Sequence, residues 1–151
     1  MDVSGEYRFT LSRKQIWTSL LDSDVLCRCL PGCEEFEQTG DEAYVAKVRT
    51  TIGPVKATFT SELKITNAVP YESYRIEGDA RAGPVGFGRG FSDVTLDEKG
   101  GETILRYTVE FQVGGKLAQL GSRLVVGATR KVAEEFFARL AGDIAGSSKV
   151  D

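Results

Sequence analysis

The feature that most constrains this chain is a change of hydrophobic period at Gly114-Gly115. Before it, from Tyr44 to Val113, apolar residues recur at every second position between glycine and proline breaks. Tyr44, Ala46, Val48, Thr50 and Ile52 share one face. Val55, Ala57, Phe59, Ser61, Leu63 and Ile65 share the next, backed by Lys56, Thr58, Thr60, Glu62 and Lys64. Such alternation specifies strands with one dry and one wet side. After the break, Leu117, Leu120, Leu124, Val125, Ala128, Val132, Phe136 and Leu140 recur at three- and four-residue steps, which predicts one long helix with one apolar stripe. A one-sided sheet and a one-striped helix bury their apolar surfaces against each other. The expected fold is therefore α+β: a curved antiparallel sheet of six to seven strands around a long C-terminal helix, with a gap between them suited to an apolar ligand.

The remaining segments fill in this plan. Gly5 to Leu11 alternates as a first strand, and Ser12 with Gln15 forms a capping box for a short helix carrying Ile16, Trp17, Leu20 and Leu21. Asp22 caps a second short helix that Pro31-Gly32 ends, and Glu34 to Thr39 reads as a strand. Tyr74, Ile76, Gly78 and Ala80 share a strand face. Val85, Phe87, Arg89 and Phe91 are in phase with one another but not with Val94 and Leu96, which predicts a bulge near Ser92-Asp93. Asp97 to Gly101 is a hairpin turn, after which Leu105, Tyr107, Val109, Phe111 and Val113 alternate strictly. Residues 1–145 form one domain and 146–151 a polar, frayed tail.

Composition narrows the function. A chain of 151 residues can bury roughly two-thirds of its unfolded surface. Its formal charge of −3 is spread along the sequence without a basic run, so the footprint of a nucleic-acid binder is missing. With no histidine, Ser–His–Asp and Cys–His nucleophile sets and His-ligated metals are excluded. No signal peptide and no apolar run of ~18–20 residues appear, so the expected compartment is the cytoplasm.

Four features invite functional readings. Cys27, Cys29 and Cys33 could hold a soft metal, but C-x-C-x3-C is not a zinc spacing and a fourth ligand is lacking; the plainer reading is small half-buried side chains at a helix end. The glycine-rich stretch from Gly83 to Gly90 lies between strands rather than before a helix, which rules out a phosphate loop and leaves a strand with room beside it. Gly121 and Gly127 cost about 1 kcal/mol each inside a helix, offset either by close helix–sheet packing or by space for a ligand. Glu34, Glu35 and Glu37 cluster on an exposed edge, and no acid and base are placed around one pocket, so no catalytic set and no metal site are assigned. The assigned ligand-binding residues are those on inward faces: Tyr44, Phe59, Tyr74, Phe87, Phe91, Tyr107 and Phe111 from the sheet, with Leu117, Leu120 and Leu124 from the helix. Buried tyrosine hydroxyls among them would need a partner such as a ligand carbonyl.

Leu30-Pro-Gly-Cys33-Glu34, Gly40-Asp41-x-x-Tyr44, Gly53-Pro54-Val55, Val113-Gly-Gly-Lys-Leu-Ala-Gln-Leu-Gly121-Ser-Arg-Leu124 and Ala133-Glu-Glu-Phe136-Phe137-Ala-Arg-Leu140 together resemble the CoxG family of carbon monoxide dehydrogenase subunits. The likeness runs from about Gly5 to Leu140, and its Gly-Gly-Lys-Leu-Ala-Gln-Leu-Gly segment is the most specific part. That family belongs to the START-like, or SRPBCC, superfamily, whose helix-grip fold encloses an apolar cavity. The resemblance implies an accessory protein of a molybdenum-containing hydroxylase such as aerobic carbon monoxide dehydrogenase. Such a protein would hold a quinone (menaquinone or ubiquinone) non-covalently and help couple the enzyme to the membrane respiratory chain. Many members continue into a linker and a hydrophobic C-terminal anchor. This sequence ends at Asp151 with neither, so the expected membrane association is peripheral, at the inner face of the cell membrane. Two other readings stand beside it: a small START-like cyclase or hydrolase on an apolar substrate, marked by a buried carboxylate or tyrosine of perturbed pKa facing the cavity, and an assembly chaperone with a filled core.

Overall fold

A computed structural model describes the backbone of residues 1–150 and the side chains of residues 1–145; the side chains of the expected polar tail, 146–151, lie outside the described residues. Seven strands form one antiparallel sheet: β1 (Asp2–Phe9), β2 (Cys33–Gly40), β3 (Ala43–Ile52), β4 (Val55–Val69), β5 (Ser73–Arg81), β6 (Phe87–Lys99) and β7 (Glu102–Gly114). Their order is β1-β7-β6-β5-β4-β3-β2, a meander in which β1 returns beside the last strand. Helices α1 (Arg13–Leu20) and α2 (Ser23–Cys29) link β1 to β2, and a 3₁₀ turn at Gly83–Val85 joins β5 to β6.

The local signals act as expected. Ser12 and Gln15 close the capping box of α1, and the Asp22 carboxylate accepts from the amides of Asp24 and Val25 at the start of α2. The C-terminal helical region is broken, however. A single turn, α3 (Lys116–Gln119), precedes α4 (Ser122–Val150), and Gly121 between them has φ +90°, a left-handed conformation suited to glycine. Gly121 is therefore a turn residue and not part of a helix interior. Neither it nor Gly127 has an atom within 4 Å of where a Cβ would stand, so close packing explains neither.

The register of β6 corrects the expectation from sequence. Its pairing with β5 runs without a shift through Tyr74↔Val94, Ile76↔Ser92, Gly78↔Gly90 and Ala80↔Gly88, and that with β7 is equally continuous. No bulge occurs at Ser92-Asp93. Gly88, Gly90, Ser92, Val94 and Leu96 share the inner face, and Phe87, Arg89 and Phe91 point outward. Cations lie beside the outward rings: the Arg75 guanidinium lies 4.0 Å from the Phe91 centroid while forking onto Asp93 at 2.7 and 2.9 Å, and Arg89 lies 5.5 Å from that of Phe87, which stays 39 % exposed.

The fully buried core sits between the β1–β7 side of the sheet, α1 and the C-terminal half of α4, around Phe9, Ile16, Leu105 and Leu140. Tyr107 and Phe137 join it with ring centroids 5.2 Å apart. α2 is tied to α4 by Arg28, whose Nε and Nη2 donate to the Asp143 carboxylate at 3.0 and 3.2 Å.

Candidate functional site

Between the inner face of the sheet and α4 lies a cavity of about 270 Å³. β4 supplies Leu63 and Ile65, β5 Tyr74 and Ile76, β6 Ser92 and Val94, and β7 Tyr107 and Val109. Thr129, Val132, Ala133, Phe136 and Phe137 of α4 form the opposite wall, and Leu20, Leu26 and Leu30 close the end beside α1 and α2. Among the described residues the lining contains no carboxylate, lysine, arginine or cysteine. Thr129 spends its hydroxyl on the Val125 carbonyl within α4 at 2.9 Å.

The tyrosine hydroxyls set the polarity of this cavity. Tyr44 Oη donates to the Leu21 carbonyl at 2.9 Å, pinning β3 to the α1–α2 junction. Tyr74 is 4 % exposed, with its ring edge-on to Trp17 at 5.4 Å, and its hydroxyl has no hydrogen-bond partner among the described residues. Burial, with a smaller contribution from Tyr44, raises the Tyr74 pKa well above the usual phenol value of 10.0. Burial likewise raises Tyr44 and Tyr107. Tyr74 is thus a fixed, protonated donor facing an apolar space.

Four lining residues, Leu63, Ile76, Ser92 and Val109, also border a second space of about 240 Å³. This trough runs along the inner face past Ser61, Gly78, Ala80, Gly88, Gly90 and Phe111, and all its described lining comes from the sheet. Here the glycines matter. A Cβ on Gly90 would stand 2.1 Å from the Glu110 carbonyl oxygen, so a side chain is excluded there, and one on Gly78 would press on the end of Leu63 at 3.1 Å. The cavity therefore opens at the β5–β6 end and is closed at the α1–α2 end.

Of the residues assigned from sequence, Tyr44, Tyr74 and Tyr107 come together around the cavity, and Phe111 lines the trough. Phe59 is half-buried on the inner face but borders neither. Phe87 faces outward, and Phe91 borders the trough only from the outer side of β6. Leu117 is buried elsewhere, Leu120 precedes the break at Gly121 and is not part of α4, and Leu124, at the start of α4, packs over Gly53 in the β3–β4 turn and does not reach the cavity. The α4 wall is legible in the sequence as Val132 and Phe136 of the three- and four-residue repeat. The contribution of Leu26 and Leu30 carries no sequence signal, since only the fold brings α2 over the closed end of the cavity. Ser92 is hidden by its polarity.

The cysteines form no metal site: among the described residues no group of three or more His, Cys, Asp or Glu could hold an ion. Cys27 Sγ donates to Cys33 Sγ at 2.9 Å, and Cys33 Sγ donates to the Glu35 carbonyl at 3.4 Å. Burial first, and then the Cys27 contact, push the Cys33 thiol up to about 12. Cys29 is buried and raised by desolvation. Cys29 and Cys33 are thus protonated structural thiols.

A family model for the carbon monoxide dehydrogenase subunit CoxG matches residues 5–145. This chain belongs to the CoxG family. Among solved structures, it is similar to a conserved protein from Geobacillus kaustophilus at 27 % identity and a TM-score of 0.91, covering 97 % of each chain. This CoxG chain shares its fold with a START superfamily protein from Mycobacterium smegmatis (12 % identity, TM-score 0.73, 96 % and 97 % covered). The same holds for the Zhui aromatase/cyclase from Streptomyces sp. R1128 (13 %, 0.71, 96 % and 93 %). No curated protein sequence matches significantly. The START-like helix-grip expected of a CoxG protein is the fold observed.

Proposed function

We propose that this CoxG protein is a carrier of a lipophilic quinone and an accessory protein of a molybdenum hydroxylase of the carbon monoxide dehydrogenase type, helping to couple that enzyme to the membrane respiratory chain. The observation that carries the reading is the apolar cavity between sheet and α4 with the unpartnered Tyr74 hydroxyl on its wall. At about 270 Å³ it lies just under the ~300–1,000 Å³ usual for drug-sized ligands, which suits a one- or two-ring head and not a whole prenylated molecule. A quinone carbonyl would accept from Tyr74, and the prenyl tail would follow the glycine-floored trough outward. The family supplies the partner: its name ties its members to carbon monoxide dehydrogenase.

Trp17, the single tryptophan, stands beside Tyr74 and serves as reporter. Titration with a short-chain menaquinone should quench its fluorescence saturably, and Tyr74→Phe should weaken binding by roughly two- to tenfold, the worth of one hydrogen bond. Absence of saturable quenching would contradict the carrier reading.

One observation favours a second reading, a cyclase acting on an apolar substrate: a tyrosine of raised pKa does face the cavity, and an aromatase/cyclase shares the fold. The shift is upward, however, which makes Tyr74 a donor and a poor base, and the cavity lining offers no carboxylate to complete an acid–base pair.

A further inference from the structure

The sequence has no basic run, yet folding gathers its cations at one end. Residues 50–61, 80–92 and 111–133 contain Lys56, Arg81, Arg89, Lys116, Arg123, Arg130 and Lys131 and not one Asp or Glu. All seven are exposed. This leaves twelve of the nineteen Lys and Arg residues to face all twenty-two Asp and Glu in the rest of the chain. The three segments are neighbours in space. They hold the β3–β4 hairpin, the β5–β6 connection, and the β7–α3 turn with the first half of α4. Contacts at glycine lock them together: Leu124 lies over Gly53, Gly115 over Gly86, and the Phe87 ring against Gly114. The terminal ammonium of Met1 joins the same end, donating to the Phe111 carbonyl at 2.8 Å.

Lys56, Arg89, Lys116 and Arg123 have no ion pair among the described residues, and Arg81 has only a 3.5 Å pair with Asp79 at a well-exposed position. Two large apolar side chains, Phe87 and Leu124, stand among these cations, each 39 % exposed. Arg89 borders both the trough and a surface recess formed with Arg81, Pro84 and Phe87, so this end surrounds the opening of the cavity.

We infer that this end is a docking surface for an anionic lipid bilayer, through which the apolar ligand enters and leaves. Cations near an anionic membrane each add attraction, and apolar side chains between them enter the headgroup–acyl boundary. Exposed Phe87 on the recess beside the trough, with exposed Leu124 over Gly53 at the same end, favours lipid over an acidic protein face, which would leave those side chains without an apolar partner. The acidic remainder of the molecule orients the docking by repulsion from the same membrane. The delivery role rests on the carrier reading; the docking does not.

The test is flotation of the purified protein with phosphatidylcholine vesicles containing or lacking about a third phosphatidylglycerol. Binding is expected only to the anionic vesicles, and to fall with salt. The triple variant K56E/K116E/R123E should lose it by on the order of a hundredfold, given the attraction each cation supplies. F87S should weaken it while leaving the charge unchanged. Since Lys56, Lys116 and Arg123 are exposed and line neither the cavity nor the trough, circular dichroism and naphthoquinone quenching of Trp17 should match the unaltered protein in the triple variant. No binding to anionic vesicles at low salt, or binding unaffected by the triple reversal, would overturn the inference and leave an acidic protein as the occupant. Vesicle binding without naphthoquinone binding would sink the carrier reading alone.

Discussion

Tyr44 and Tyr74 face the same cavity, and their hydroxyls differ in what they meet. Tyr44 donates to the Leu21 carbonyl, so Tyr44→Phe leaves that acceptor short of a partner and should cost about 1–2 kcal/mol in chemical denaturation. Tyr74 donates to nothing among the described residues, so Tyr74→Phe should leave stability unchanged or slightly raised while weakening ligand binding. The Tyr74 phenol also links stability to pH. Its folded pKa is raised, so its contribution is fully present below the unfolded value of 10.0 and is lost as pH rises beyond it. Equilibrium unfolding followed between pH 9 and 12 should show stability falling above about pH 10, and less steeply in Tyr74→Phe. The cysteines behave alike at this scale: with Cys33 pushed up to about 12, its alkylation by iodoacetamide at neutral pH should be far slower than that of a free cysteine.

At the scale of elements, β6 and α4 carry the site and are also the hardest to read from sequence. Inner faces are found by their apolar residues, but β6 turns Gly88, Gly90 and Ser92 inward and its phenylalanines outward, so the alternation points to the wrong face. The reason is functional geometry: a trough needs an inner face without side chains, and a sheet face without side chains has no hydrophobic signal. α4 is legible from Val125 onward, where Val132 and Phe136 line the cavity and Leu140 the core, but Gly121 resets the phase and separates Leu117 and Leu120 from α4, while Leu124 at its start is taken up by the β3–β4 turn over Gly53. By contrast the capping residues Ser12 and Asp22 and the strands β3, β4 and β7 follow from local chemistry alone, because those strands line the same spaces with apolar side chains that keep the alternation visible. Two glycine substitutions separate the roles. Gly90→Ala drives a Cβ into the β7 backbone and should destabilise by roughly 2–4 kcal/mol in denaturant titration. Gly127→Ala meets open space on an exposed helix and should stabilise by up to about 1 kcal/mol.

At the scale of the whole molecule, the sheet, α1, α2 and α4 enclose one apolar space, close it at the α1–α2 end and open it at the end where the cations gather. Among the described residues no helix is long and apolar enough to cross a membrane. On the proposed carrier reading, the ligand would exchange at that open end. That the cavity holds a lipophilic quinone is tested most directly by native mass spectrometry of protein purified from a menaquinone-producing host, with organic extraction of whatever it retains. A bound species that dissociates as a quinone, and that is depleted in Tyr74→Phe, is the expected result. Protein that emerges empty and takes up no added menaquinone would contradict the carrier reading.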